Sequence, residues 1–341
     1  MQEIFKELKQ RVTEKEDKAA LMDDSVSYDI KEDNYYQITP WMTTKPIAFV
    51  DGGSSCFIES PSLCVGFVRV VSVIMKNKKS RKVLHNEFFV LGQSYNKNGT
   101  IHYKTKHFES KNTKNLIGTI DASSLDPGHS TREQRMPISR VVDIARRFAE
   151  LELAIETINH LDNGDMIVLD GNLKAVYDGE AEILERLYTA AEDRGVLVTA
   201  VSKTSNTLTD KGDTLTSKIA KNAKSDEWYY YPAFETKGTS HKAHVYFVKF
   251  HKGSNYIFCV DIQKDKMLDM SKVMGVLAFY STDASFPGYP YGLIKADRLA
   301  RVAENETDIL LTRFYASDPE LFEQLRPYMN SINAHSVLDN M

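Results

Sequence analysis

The chain has 341 residues, of which 42% are hydrophobic and 26% are charged, and its formal net charge is −4. This length allows a substantial buried core, as one large domain or one domain with extensions. The composition is that of an ordinary globular protein. The net charge excludes a global electrostatic footprint for nucleic acid, so DNA or RNA binding must depend on local basic patches. The three cysteines, Cys56, Cys64 and Cys259, lack C-x-x-C spacing, and we expect them to be reduced.

The sequence contains no obvious signal for membrane insertion. No apolar run approaches the length of a bilayer span, and a charged segment rather than a signal peptide follows Met1. We therefore expect a cytoplasmic protein without a membrane partner.

Residues 1–24 predict an amphipathic helix. Ile4, Phe5 and Leu8 recur at helical spacing among charged residues. Such an apolar stripe is expected to pack against another surface, either of its own domain, of a second subunit in a dimer, or of another partner. From Asp23 to Thr44 the pattern is lost, which indicates a connecting arm.

Two strand motifs that end in Asp-Gly dominate the rest of the chain. The stretch 46–55 (PIAFVDGGSS) predicts a buried strand with Asp51 at its tip and a sharp turn at the two glycines. The stretch 166–173 (MIVLDGNL) repeats the pattern and ends its strand at Asp170. Since acids at strand ends face the edge of a sheet, where α/β proteins place metals, phosphates and catalytic groups, the two motifs suggest carboxylates that converge on one site.

The order of the remaining elements predicts the topology. A β-branched strand at 63–75 and strands near 88–91 and 100–108 form an antiparallel meander. Ser139 is a plausible N-cap for a helix over 140–161, which precedes the Asp170 strand. A helix over 179–193 and a strand over 196–201 then complete a βαβ unit with parallel strands. Meander, helix and parallel strands in this order predict a ribonuclease H-like mixed sheet in the α/β class, flanked by helices, with helical extensions at both termini.

The second half of the chain is less regular. The lysine-bearing polar segment 203–225 is interpreted as mobile or substrate-facing. Further strands are expected at 244–250 and 256–263, with helices at 271–280, around 296–302 and after Asp318.

The helix before the second motif carries three acids, Glu150, Glu152 and Glu156. On a helical wheel, Glu152 falls between Phe148 and Ile155 on the flank of the apolar stripe, whereas Glu150 points nearly opposite. An acid beside a buried stripe needs a cation, a metal or hydrogen-bond donors. The alternative is that Glu152 reaches water at the rim.

The acids at these positions, together with Asp297 on a later helix, favour a particular chemistry. Oxygen-only ligands suit Mg²⁺ or Mn²⁺ rather than zinc. Two such ions, roughly 3.5–4 Å apart, form a clamp for in-line phosphodiester cleavage.

The succession of Asp51-Gly-Gly-Ser, the helix acid, Val168-Leu-Asp-Gly171, Ser202-Lys203 and the segment 288–301 (GYPYGLIKADRLAR) resembles the NurA nucleases. The resemblance spans roughly residues 45–305. It implies a homodimeric, ribonuclease H-like, manganese-dependent DNA nuclease with single-strand endonuclease and 5′-to-3′ exonuclease activity. It further implies that the protein acts together with a HerA-type hexameric ATPase in DNA end resection or phage defence.

The resemblance also implies roles for single residues. Asp51 and Asp170 would be the core metal ligands, and Asp297 would complete the site. Tyr289 would lie beside the scissile phosphate, and Lys203 would contact a phosphate or stabilise developing charge. The family spacing admits Glu150, Glu152 or Glu156 as the helix ligand, and the wheel favours Glu152. The chain departs from the family at Gly53, an extra glycine after Asp51-Gly.

These features predict three regions: an N-terminal helix and arm (1–44), a nuclease domain (45–310) and a C-terminal helical tail (311–341). Two other functions stay open, an actin-like or sugar-kinase-like phosphotransferase and a non-catalytic DNA-end scaffold. The sequence leaves open the end polarity, the strand preference, the choice between repair and antiphage defence, and the identity of the ATPase.

Overall fold

A computed structural model describes residues 1–13, 25–110, 117–125, 135–236, 241–264 and 268–330. The chain forms two compact units. The first contains Met1–Trp41 and Val201–Tyr289, and the second contains Met42–Ala200 and Pro290–Met341. The predicted division at residues 44/45 and 310/311 stays a prediction.

The helices of the described ranges, in chain order, are α1 (Gln2–Thr13), α2 (Arg140–Ile158), α3 (Glu180–Arg194), α4 (Leu215–Asn222), α5 (Met270–Tyr280), α6 (Tyr291–Ala300), α7 (Glu304–Ser317) and α8 (Pro319–Asn330). The strands are β1 (Ser25–Ser27), β2 (Tyr35–Gln37), β3 (Ile47–Glu59), β4 (Leu63–Lys76), β5 (Lys79–Lys97), β6 (Thr100–Glu109), β7 (Asp121–Ser123), β8 (Met166–Asp170), β9 (Leu197–Ser202), β10 (Trp228–Tyr230), β11 (Phe234–Thr236), β12 (Ala243–Lys249) and β13 (Phe258–Gln263).

The second unit is built on a mixed sheet with the strand order β9-β8-β3-β4-β5-β6-β7. From β3 to β7, each strand pairs antiparallel with the next strand along the chain. Strand β8 pairs in parallel with the other edge of β3. The predicted mixed sheet of a meander and parallel strands, flanked by helices, is therefore confirmed. Strand β4 is buried along most of its length because its β-branched residues are covered on both faces.

Two helical layers cover this sheet. Helix α2 packs Val142, Ala145 and Phe148 into a core with Val68 and Val90 of the strands. A second cluster lies near the end of β3 and the start of β4. It joins Phe57, Ile58 and Phe67 to side chains of α7, among them Leu310 and Phe314. The sequence prediction contained no helix over 304–317; none of the residues of α7 is fully buried, although Leu310 and Phe314 pack against this cluster.

The first unit contains four antiparallel strands in the order β2-β10-β12-β13. Helix α4 packs Leu215 and Ile219 against Trp228 and Phe247. Part of the segment 203–225 is therefore a packed helix, and its interpretation as substrate-facing stays a prediction. Two apolar residues four positions apart anchor a helix that is otherwise polar.

Three further predictions concern local features. Helix α1 is present, and its apolar residues Ile4, Phe5 and Leu8 are each more than half exposed. Ser139 is the N-cap residue of α2, as predicted, but it has helical dihedral angles and makes no side-chain capping hydrogen bond. Within the described ranges, no helix is long and apolar enough to cross a membrane.

Candidate active site

The register between β3 and β8 brings the two strand acids side by side. The last pair of this parallel ladder is Val50 with Leu169, so Asp51 and Asp170 each lie one position beyond it. Partners in neighbouring strands point to the same face and are separated by about 4.8 Å between strands. The two carboxylates are therefore neighbours at the end of β8, as the sequence predicted for converging acids.

The predicted sharp turn at the glycines is wrong. Strand β3 continues through Asp51 to Glu59, and Gly52 and Gly53 pair with Val70 and Arg69 of β4. The strand continues because β4 provides hydrogen-bonding partners well beyond the end of β8. Asp51 thus lies within a continuous strand, 5% exposed, and its Oδ1 accepts a hydrogen bond from the Gly52 amide at 2.7 Å.

Both glycines are required by close packing on β3. A Cβ on Gly52 would lie 2.5 Å from Oε1 of Glu150 and 3.0 Å from Cγ of Arg146, both on α2. A Cβ on Gly53 would lie 2.3 Å from the carbonyl oxygen of Ala300 at the end of α6. The extra glycine therefore allows α6 to approach the strand that carries Asp51.

Glu150 enters this region from α2. Its side chain is 4% exposed, and its Oε1 accepts a hydrogen bond from Nη1 of Arg146 at 2.5 Å. Burial raises the pKa of Glu150; the charges of Arg146 and Arg147 oppose that rise, and the charge of Asp170 adds to it. Glu150 and Asp170 line the same cavity. The expectation that Glu150 points away from the buried part of the protein is wrong, because α2 buries a polar face as well as its apolar stripe.

Arg147 fixes the loop that follows Asp170. Its Nε donates to Oε1 of Glu180 at 2.7 Å, and its Nη2 donates to the carbonyl oxygen of Asn172 at 2.7 Å. Glu180 also accepts hydrogen bonds from the amides of Val176 and Tyr177, at 2.7 and 3.1 Å. Neither Arg146 nor Arg147 was predicted as a site residue. The four-residue spacing of Arg146 and Glu150 was the available signal.

These side chains surround one open cavity of about 330 Å³. Its acids are Asp51, Glu150, Asp170 and Glu180, and its cationic side chains are Arg146, Arg147 and Lys174. The remaining lining residues are Gly171, Asn172, Val176 and Tyr177. The cavity is polar and open to solvent, which suits a charged ligand.

Two of the predicted acids lie outside this cavity. Both oxygens of Glu152 bind Arg186 of α3, with distances of 2.6 and 2.9 Å. Asp297 pairs with Arg301 one turn further along, and its side chain is 33% exposed. Asp297 follows the buried Ala296 on α6, the helix whose end packs on Gly53. The assignment of both residues as metal ligands stays a prediction.

Lys203 and Tyr289 belong to the first unit, where they contact each other. The ammonium nitrogen of Lys203 lies 5.2 Å from the centroid of the Tyr289 ring, a cation–π contact. The ring is 1% exposed and packs against Phe258 and Phe286, with centroid distances of 5.4 and 5.2 Å. Their predicted roles at a phosphate remain predictions.

The donor set at the cavity fits a hard divalent cation in its chemistry. Carboxylate oxygens are the ligands that Mg²⁺ and Mn²⁺ prefer, and the bare backbone at Gly52 leaves room for Glu150 beside Asp51. Among the residues that the structure describes, no three acidic, histidine or cysteine side chains are already arranged to hold a metal together. Arg146 instead provides a positive charge to Glu150.

Comparison with known proteins identifies the family of this chain. The sequence model of the NurA domain matches residues 45–302. The chain therefore belongs to the NurA family of nucleases. No curated protein matches the sequence.

Solved structures with a similar fold include three nucleases. The NurA nuclease from Sulfolobus solfataricus is 15% identical, with a TM-score of 0.49, and the match covers 84% of this chain and 88% of that one. Endonuclease V from Ciona intestinalis, in complex with a 24-mer DNA that contains inosine, is 10% identical, with a TM-score of 0.40 and coverage of 79% and 91%. The catalytic domain of human endonuclease V is 10% identical, with a TM-score of 0.40 and coverage of 79% and 89%.

Proposed function

We propose that this chain is a divalent-metal-dependent deoxyribonuclease whose central carboxylates are Asp51, Asp170 and Glu150. The observation that carries the proposal is the parallel register of β3 and β8, from which Asp51 and Asp170 emerge as neighbours. Glu150 lines the same cavity, whereas Glu152 is bound to Arg186 outside it. We therefore propose Glu150 in place of Glu152 as the acid from α2.

Each residue of the cavity has a separate role in this proposal. Asp51 and Asp170 would hold the cation, with Glu150 as the third oxygen donor. Lys174 would contact a phosphate of the DNA, since it is an exposed cationic side chain that lines the cavity. When bound, the cation would polarise the scissile phosphate and lower the pKa of the attacking water.

The finer features of the proposal come from the family resemblance. We propose two Mn²⁺ or Mg²⁺ ions, with Asp297 as an additional ligand once it leaves Arg301, and Lys203 and Tyr289 at the phosphate. Single-strand endonuclease and 5′-to-3′ exonuclease activity, a homodimer, a HerA-type ATPase partner and a cytoplasmic location belong to the same proposal. Light scattering of the purified protein tests the homodimer, and light scattering of its mixture with the ATPase tests that complex.

Cleavage of linear and circular single-stranded DNA in Mn²⁺ tests the site. Asp51→Asn and Asp170→Asn should each lower the cleavage rate by at least the roughly 10–100-fold that loss of an outer-shell partner causes. Cutting of the circle identifies endonuclease activity, and linear DNA labelled at either end gives the polarity. Unimpaired cleavage in both aspartate variants would overturn the site assignment.

Glu150→Gln and Glu152→Gln form a matched pair on one helix. We expect Glu150→Gln to reduce cleavage about as strongly as the aspartate variants, and Glu152→Gln to cut at close to the wild-type rate. The reverse result would restore Glu152 as the acid from α2. Thermal stabilisation by ATP would instead favour the phosphotransferase, and a folded wild type that binds DNA ends without cutting them would favour the scaffold.

A further inference from the structure

Arg146 binds one of the carboxylates that line the cavity. Its Nη1 binds Oε1 of Glu150 at 2.5 Å and lies 3.5 Å from the carbonyl oxygen of Gly52. Gly52 directly follows Asp51, so the guanidinium lies beside the strand that carries the first acid. In the structure as described, the positive charge nearest to Glu150 therefore comes from the chain itself.

The two arginines of α2 have different tasks. Arg147 is 12% exposed and is fixed by Glu180 and the Asn172 carbonyl, while its Nη1 remains 3.9 Å from Glu150. Arg146 is 31% exposed and lines the open cavity. Arg146 therefore has both the closer contact to Glu150 and the solvent access needed to move away from it.

The bare backbone of β3 explains why this arrangement fits. A Cβ at Gly52 would collide with Glu150 Oε1 and approach Arg146 Cγ, so the ion pair lies directly against the strand. Rotation of the Arg146 side chain into the cavity would release Oε1 without moving the helix or the strand.

We propose that Arg146 is an internal counter-ion that competes with the divalent cation for the carboxylate of Glu150. In the metal-free protein it neutralises Glu150, and cation binding requires it to release that carboxylate. Arg146 thus sets the concentration of metal at which the site fills. This inference depends on the proposed metal site at Asp51, Asp170 and Glu150.

Calorimetric titration with Mn²⁺, in the absence of DNA, tests the competition. Arg146→Gln breaks the ion pair with Glu150 and should tighten Mn²⁺ binding by roughly 10-fold, the low end of what a hydrogen bond to a charged group contributes. Arg146→Lys retains the charge and should remain closer to the wild type. Arg186→Gln is the matched control, because it breaks the ion pair of Glu152 on the same helix outside the cavity, and it should leave the affinity unchanged.

A double-substitution cycle separates competition for Glu150 from general electrostatics. In a Glu150→Gln background the contested carboxylate is absent, so Arg146→Gln should no longer tighten Mn²⁺ binding. Tightening of the same size in both backgrounds would show that Arg146 acts only through its charge and would overturn the proposal. Unchanged or weaker binding by a folded Arg146→Gln variant, with circular dichroism as the check, would also overturn it.

Asp51→Asn distinguishes failure of this inference from failure of the proposed function. If Asp51→Asn abolishes Mn²⁺ binding but Arg146→Gln does not tighten it, the metal site stands and the competition is refuted. If neither the wild type nor Arg146→Gln binds Mn²⁺, or if Asp51→Asn binds it as tightly as the wild type, both proposals are refuted.

Discussion

Loss of the Arg147–Glu180 ion pair should destabilise the second unit. Nε of Arg147 lies 2.7 Å from Oε1 of Glu180, and the two side chains are 12% and 1% exposed. Arg147→Met would leave the Glu180 carboxylate buried without its cation, and removal of one partner of a buried pair costs about 3–5 kcal/mol. The amides of Val176 and Tyr177 would still donate to Glu180. We therefore expect a decrease in the free energy of unfolding of about 3 kcal/mol, the low end of that range.

Urea unfolding followed by far-UV circular dichroism measures this decrease. Trp41 and Trp228, the two tryptophans of the chain, both belong to the first unit, so their fluorescence would not report on the second. Arg186→Met is the matched control, because Arg186 is 58% exposed and an exposed pair contributes about 0–1 kcal/mol.

The double variant Arg147→Met/Glu180→Gln tests the cause of the loss. Gln at position 180 retains an acceptor for the two amides but carries no charge, so the double variant should be more stable than Arg147→Met alone. A decrease below about 1 kcal/mol for Arg147→Met, equal to that of the control, would refute the reasoning that an unpaired buried carboxylate causes the loss.

Two further predictions concern the packing of β3 and the titration of His107 in β6. Gly53→Ala should cost about 1–3 kcal/mol, because its Cβ would lie 2.3 Å from the Ala300 carbonyl oxygen, whereas the exposed Gly118→Ala has nothing within 4 Å of its Cβ. Urea unfolding of both variants compares them, and equal stability would contradict the prediction. Burial lowers the pKa of His107 from 6.5, so the unfolded chain binds the proton more tightly and stability falls as the pH falls below about 6.5. His107→Phe should weaken this dependence between pH 7 and pH 5, and an unchanged slope of unfolding free energy against pH would count against it.

The elements with strong local patterns were predictable from the sequence. The β-branched run of β4, the long apolar stripe of α2 and the two Asp-Gly strands all correspond to elements in the structure. Short elements such as α4, β7 and β10 were missed, because three to eight residues carry too little periodicity to be recognised.

The helix acid shows where a helical wheel fails. The wheel assumes a single apolar face, so it placed Glu152 beside the core and Glu150 opposite. In the structure, Asp143, Arg146, Arg147 and Glu150 form a polar face against β3 and the loop after β8. Ion pairs make the burial of that face possible, and a hydrophobicity pattern does not register them.

By itself, the sequence determined that two buried strands end their apolar runs in aspartates and that these strands belong to one mixed sheet. The two strands are local features, since a short run of β-branched and apolar residues favours a buried strand, and their membership of one sheet follows from the order of the elements. Only the tertiary structure decided that β3 continues past Asp51, because that depends on the length of its partner β4. It likewise decided that Glu150 rather than Glu152 faces the cavity, since the direction of a polar side chain depends on which charges other elements bring to it.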